Sequence, residues 1–421
     1  MRFCIFFTAF LSYSATLTAE EIKNVVAINL EQVIVKVLEH NPEILAGDIE
    51  AQAAVARIKQ AYQSKSPLTL NIELENFAGS GTTSGTGQLE STLSFTKVLE
   101  LGKKPEMRAH VARQDAALLK NTQDVRKLDL LAEASRRFIS IVLLQQKLNI
   151  AISKVKLIKS IQQITAKRIR LGKSPMTEQR RLTIELERAK LELEHVEHEL
   201  KASLIRMSSL WGTITPRFNF VLADIYSLRK PESFESLMTF LDRNPDIARF
   251  ANRERLAQAR INLAKTRSRS DIEISGGIKH FRKTSDTALV LSANIPFGGT
   301  SRARPFIQEA KILSQLTPHK LAQRRIELQT ELYDLYQEMI HAYEALKVFR
   351  NIIIPEAKLV LRDYKRGYAV GRYSFFELNN AQATLLDAQL EAAVIASNFH
   401  KNKIEIERLT GANLTRLEDQ K

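Results

Sequence analysis

The second half of this 421-residue chain restates the first, and that duplication limits the fold more than any other feature. Asn41-Pro42-Glu43-Ile44 returns as Asn244-Pro245-Asp246-Ile247, and Ala54, Ala56-Arg57-Ile58 and Ala61 return as Ala257, Ala259-Arg260-Ile261 and Ala264, all at an offset of 203. Late in each half, Gly172 and Leu210-Trp211-Gly212 are answered by Gly371 and Leu409-Thr410-Gly411 at an offset of 199. A period this long is no short solenoid repeat; it describes one structural unit used twice about a pseudo-symmetry axis, an arrangement that suits a ring or tube better than a pocket. The expected division is residues 20–212 for the first unit, 213–243 for a joint containing Pro216 and Pro231, and 244–421 for the second.

Only 15 glycines and 11 prolines interrupt long Ala/Leu/Glu/Lys/Arg runs, so most of the chain is expected to be helical. The N-terminus carries Arg2, an apolar core from Phe3 to Leu11, and small or polar residues up to Ala19, which together read as a secretory signal peptide over 1–19, cleaved after Ala19 or after Ala15. The single cysteine, Cys4, lies inside that signal, so the mature chain is expected to have no thiol and no disulfide. The net charge of +15 is spread along helices rather than gathered in a block, and export argues against nucleic acid as a partner.

No later segment has about 18 consecutive apolar residues, so a membrane crossing would have to be made by β-structure. After Pro67 the hydrophobic period changes to two: Leu68, Leu70, Ile72 and Leu74 alternate with polar residues, and Leu89, Ser91, Leu93 and Phe95 follow a Gly/Ser/Thr loop spanning 79–87. The second half repeats the pattern with Ile272, Ile274, Gly276 and Ile278, then Leu289, Leu291, Ala293 and Ile295. These are four strands of about ten residues, the length that crosses a bilayer when tilted. Four strands cannot close a barrel, and open edges in lipid leave backbone groups unpaired, so closure requires other copies of the chain. Two half-buried hairpins packed on helices would produce the same alternation.

Each unit is expected to run short helix, β-hairpin, then two very long helices, the first short helix opening at Asn29 with Gln32 three residues on. Between Pro105 and Pro175 there is room for roughly 100 Å of helix. Leu182, Leu186, Ala189, Leu193, Val196, Leu200, Ser203, Met207 and Leu210 step by fours and threes, and the offset of 199 maps them onto Ala381, Leu385, Ala388, Ala392, Ile395, Phe399, Asn402, Ile406 and Leu409. This is a coiled-coil seam kept in register by the duplication. Leu171-Gly172-Lys173-Ser174 and Val370-Gly371-Arg372-Tyr373 have the chemistry of tight reversals between antiparallel helices.

With these features the chain resembles the TolC-type outer-membrane efflux proteins of Gram-negative bacteria over essentially its whole mature length. The duplicated Asn-Pro-acid start, the hairpins between short and long helices, the Leu/Val-Gly turns followed by Glu178 and Glu377, and the Ile354-Pro355 break before the second turn carry the resemblance. Glu73-Leu-Glu-Asn-Phe-Ala-Gly-Ser-Gly81 and Leu99-Glu-Leu-Gly-Lys103 are most similar to the CzcC-like heavy-metal branch. The resemblance implies a mainly α protein with a β-barrel part: a homotrimer whose twelve strands form one outer-membrane barrel continued into the periplasm by a coiled-coil α-barrel. It also implies a periplasmic adaptor and an inner-membrane pump as partners and outer-membrane lipid around the barrel. It implies an exit duct with no catalytic residue, cofactor or bound metal, for divalent heavy-metal cations, for drugs and organic solutes, or for type I secretion. An envelope scaffold without a pore is the reading from another class. No GxxxxGK[ST], HExxH or GxSxG motif occurs.

By the same resemblance the periplasmic mouth falls on Thr177, Glu178, Tyr368, Glu377 and Asn380, with Tyr368 able to bond to the Thr177-Glu178 pair, and the adaptor docks on the two turns. Asn380 stands where the family type is acidic, and Tyr373 where some members carry a basic residue. Glu377, Thr177 and Glu178 also open helices, where capping and the macrodipole favour the same residue types. Lys167, Arg168, Arg170, Lys173, Arg366 and Arg372 surround the turns, where they also complement helix C-termini. His195 and His198 sit three apart on one helix without a third close ligand, the pattern of solvated surface histidines.

Overall fold

The computed structural model describes residues 26–63 and 66–411; the signal-peptide reading lies outside the described residues. The first unit runs β1 (Ala27–Ile28), α1 (Leu30–His40), α2 (Pro42–Tyr62), β2 (Thr69–Glu75), β3 (Glu90–Leu99), α3 (Lys104–Arg170) and α4 (Met176–Ser208). After β4 (Phe220–Val221) the second runs α5 (Phe234–Phe240), α6 (Pro245–Thr266), β5 (Ile272–Phe281), β6 (Asp286–Asn294), α7 (Gly299–Ser314), α8 (Leu316–Val348), α9 (Ile354–Val370) and α10 (Phe375–Thr410).

Two helices rather than one precede each hairpin, and the repeated asparagine explains why. Asn41 Oδ1 accepts from the backbone N–H groups of Glu43 and Ile44, and Pro42 occupies the first turn, where a missing N–H costs nothing. Its amide then donates to Leu210 O at 2.7 Å, and Asn244 donates to Leu409 O in the same way while capping α6. The two repeated motifs therefore meet: each Asn-Pro start closes onto the end of its own unit's last helix. The capping box expected at Asn29 and Gln32 is present, with both hydrogen bonds made.

The long helices differ between the units. α3 is one 67-residue helix, about 100 Å long. Its counterpart is divided into α7, α8 and α9, with a π-helical turn at Phe349–Ile353 before Pro355. The break expected at Ile354-Pro355 is present, and proline's missing N–H and ring bulk force the wider turn there. The most apolar stretch of α3 is long enough by composition to cross a membrane. Phe138, Ile139, Ile141, Val142 and Leu144 within α3 are buried against α1, α10 and the 218–225 segment, which accounts for that hydropathy. The residues between the units are part of the same core, with Phe218, Val221 and Ile225 buried and Ile225 O hydrogen-bonded to His400 Nε2 at 2.9 Å. Along the seam, Leu182, Ala189, Met207, Ala392 and Leu409 are almost wholly inaccessible. His195 and His198 are exposed on α4.

The four longer strands form one antiparallel sheet in the order β2-β3-β5-β6, so the two hairpins pair with each other. The register aligns Leu70, Phe95, Gly276 and Leu291 in one row and Ile72, Leu93, Ile278 and Leu289 in the next. All of these share one face because side chains alternate along a strand. That face is bare: Ile72 is 71% exposed, Leu289 82% and Leu291 84%. The opposite face is polar, with Asn71 donating to Thr96 Oγ1 at 2.7 Å and Ser275 paired with Ser292 at 2.7 Å. Gly277 lies on that face, where a Cβ would come within 2.6 Å of Ser94 Cα, so only glycine allows the strands their close approach. The sheet is pinned to the helices by the two-pronged Arg108–Glu100 ion pair, at 2.9 and 2.8 Å, and by Lys104 with Asp271.

Candidate functional site

The two hairpin turns lie side by side at the end of the molecule far along the chain from the sheet, held by a core to which all four helices contribute. Ile158 and Ile161 of α3, Leu182 of α4, Leu361 and Tyr368 of α9, and Leu378 of α10 are buried together there. The turns have the same construction. Gly172 has φ +69° and Gly371 φ +88°; Lys173 N donates to Arg168 O at 2.8 Å, and Arg372 N to Gly367 O at 2.8 Å. These are Schellman closures, in which a left-handed glycine lets the next residues satisfy the last helical carbonyls. Among the described residues, and apart from the glycine's own chain neighbours, no atom lies within 4 Å of a Cβ built at either glycine, so a side chain there would face open space.

Tyr368 joins the turns. Its side chain is fully buried, and its hydroxyl donates to Glu178 Oε2 at 2.7 Å and lies 2.9 Å from Thr165 Oγ1. Burial holds its phenol above the usual range, so the neutral donor form is favoured. The Arg168 guanidinium packs 4.2 Å from the Tyr368 ring centroid, donates to Tyr368 O, and donates to Lys173 O at 3.0 Å. One arginine thereby spans both turns. The expected bond from Tyr368 to Glu178 is present; Thr177 stays exposed at the start of α4, and Thr165 takes the place beside the tyrosine.

Thr165 and Arg168 lie three apart on one face of α3, and that spacing alone does not tell which face meets Tyr368. On the other side of the second turn, Tyr373 packs against Tyr364 with centroids 4.6 Å apart and the rings tilted by 55°, and it lies over Gly367, where a Cβ would come within 2.2 Å of its ring. Tyr373 is thus packed back on its own hairpin.

Glu377 forms a full capping box with Ser374: its Oε2 accepts from Ser374 N and Oγ, both at 2.8 Å, and Ser374 Oγ accepts from Glu377 N at 3.3 Å. The backbone N–H and hydroxyl of Ser374 hold its carboxyl below the usual range, so it is charged at neutral pH. Asn380 is exposed one turn further on. At the tips, Leu171, Val370 and Phe376 are 68%, 76% and 72% exposed. Ser174, Lys173 and Arg372 complete the turns around these apolar side chains.

The fold is that of outer-membrane channel subunits. The structure superposes on CusC, solved in a study of transmembrane channel formation, with a TM-score of 0.74 over 92% of each chain at 14% identity. It superposes on the Campylobacter jejuni CmeC outer membrane channel with a TM-score of 0.73, over 93% of this chain and 87% of that one, at 14% identity. In sequence it is 21% identical to the cobalt-zinc-cadmium resistance protein CzcC of Cupriavidus metallidurans over 323 residues, 76% of this chain and 77% of that protein. The chain belongs to the outer membrane efflux protein family, whose profile matches residues 33–213 and 237–412. Members are channels, not enzymes, of the Gram-negative outer membrane and reach into the periplasm.

Proposed function

We propose that three copies of this chain form the exit duct of a tripartite efflux pump for divalent heavy-metal cations. The observation that carries the duct is the sheet: four antiparallel strands, one face mainly apolar and exposed, the other mainly polar, and unpaired edges on β2 and β6. Pairing β6 of one copy with β2 of the next satisfies both edges, and three copies supply twelve strands, enough to close around a polar lumen with the apolar faces in lipid. The long hairpins continue the wall into the periplasm. Similarity to CzcC supports the cation cargo, while selection of cargo belongs mainly to the inner-membrane pump.

The turn end serves as the periplasmic mouth in this reading. Tyr368, Glu178, Thr165 and Arg168 hold the two hairpins of one protomer together, and Glu377 with Asn380 faces the opening. The protruding Leu171, Val370 and Phe376 give an adaptor tip apolar contacts, ringed by Lys173 and Arg372. The test is a deletion strain complemented with the gene. Zinc, cobalt and cadmium tolerance should return with wild type, whereas recovery of tolerance to organic cations alone would assign the duct to drugs and organic solutes.

A further inference from the structure

The polar face of the sheet carries a charge arrangement that the mouth does not involve. Glu75 at the end of β2 and Glu90 at the start of β3 stand directly opposite each other in the strand register. Like charges at opposed positions repel. Lys279 of β5, two residues before the position paired with Glu90, resolves the conflict: its Nζ lies 2.8 Å from Glu75 Oε2 and 2.6 Å from Glu90 Oε2. The Phe281 ring centroid is 5.6 Å from the same ammonium. The three side chains are partly shielded, and the hairpin tips above them are tied by Arg282, which donates to Leu89 O at 3.0 Å and to Thr86 Oγ1 at 2.8 Å. The cluster therefore sits at the far end of the lumen from the helices, on the last stretch of wall before the outside.

Two carboxylates converging on one point are hard oxygen donors for a divalent cation, and the point is taken by an ammonium that belongs to the chain. A pore conducts only if its sites release ions as readily as they admit them. We propose that Lys279 is a resident counter-ion that prevents the Glu75–Glu90 pair from retaining divalent cations at the outer exit of the duct. The proposal rests on the barrel reading, because it requires the polar face to line the lumen; it does not depend on the cargo.

The experiment measures zinc block of single-channel currents in planar bilayers, with zinc chloride added on the extracellular side. Lys279→Gln should be half-blocked at a zinc concentration at least about tenfold lower than wild type, because a positive charge in contact with the site has been removed. Lys279→Arg should behave as wild type, and Lys279→Gln combined with Glu90→Gln should lose the added sensitivity. Equal sensitivity of wild type and Lys279→Gln overturns the proposal, as does a double variant as sensitive as Lys279→Gln, which would place the block elsewhere. Should Lys279→Gln fail to insert, Lys279→Met is titrated with zinc in detergent, and an affinity no tighter than wild type counts equally against it. A wild-type protein that forms no channels would instead strike the barrel reading itself.

Discussion

At the scale of single residues, the proposed mouth rests on a few buried polar contacts. Tyr368→Phe removes a hydroxyl that bonds to Glu178 and Thr165, leaving both without that partner at a cost of about 1–3 kcal/mol. The two hairpins should separate more readily, and bilayer recordings should show longer open times than wild type; unchanged gating would reduce Tyr368 to a core residue. Glu377→Gln keeps a side chain that can still cap Ser374, so it tests charge alone. Cation preference at 0.01 M salt, where the Debye length is about 30 Å, should fall modestly. A reversal potential identical to wild type would leave Glu377 as a helix-start residue only. Glu407 offers a pH test. Burial pushes its carboxyl up to about 7 while Lys403, 3.6 Å away, works in the opposite direction. Its folded pKa lies above the unfolded value, so ionising it penalises the folded state: stability is highest below the unfolded carboxylate range and declines as pH rises to about 7. Glu407→Gln should flatten this decline and raise stability above pH 7 by at most about 3 kcal/mol, read from denaturation midpoints across pH.

At the scale of elements, the two hairpins share a seam and a turn geometry but differ in continuity. α3 is unbroken, whereas the π turn at Phe349–Ile353 and Pro355 interrupt the corresponding run in the second unit. Both turns depend on a glycine in the left-handed region. Gly172→Val and Gly371→Val meet no steric neighbour, so the cost is backbone strain, about 1–2 kcal/mol each. The substitutions should distort the protruding tips while the strands and their insertion stay intact. Reduced export tolerance with normal outer-membrane levels is the expected result; full tolerance in the double variant would remove the turns from adaptor docking.

For the whole molecule, the unpaired edges of β2 and β6 and the bare apolar face are unstable in isolation. Detergent-purified protein should have the mass of three chains and should not dissociate into folded monomers, since separation exposes strand edges that lipid cannot satisfy. A stable folded monomer by light scattering would contradict closure of the barrel by three copies.

The duplication, the change of hydrophobic period and the coiled-coil seam are local in sequence, and local patterns specify element types; the strands, both glycine turns and the Asn29 capping box were therefore legible from residues alone. The Tyr368–Glu178 contact follows from family resemblance rather than spacing, because its partners lie on different hairpins. Whether Thr177 or Thr165 stands beside Tyr368 depends on the rotation of α3 against α9, which only packing fixes. The same holds for the Asn41–Leu210 and Asn244–Leu409 bonds: both motifs were visible, but not that they touch. Lys279 was an ordinary polar-face residue until strand pairing placed β5 beside β3 and brought its ammonium between Glu75 and Glu90. Sequence determined which residues form each helix and strand, since that follows from periodicity and caps along one stretch of chain; tertiary structure decided which charges and hydroxyls meet, since that depends on the register and rotation of elements more than a hundred residues apart.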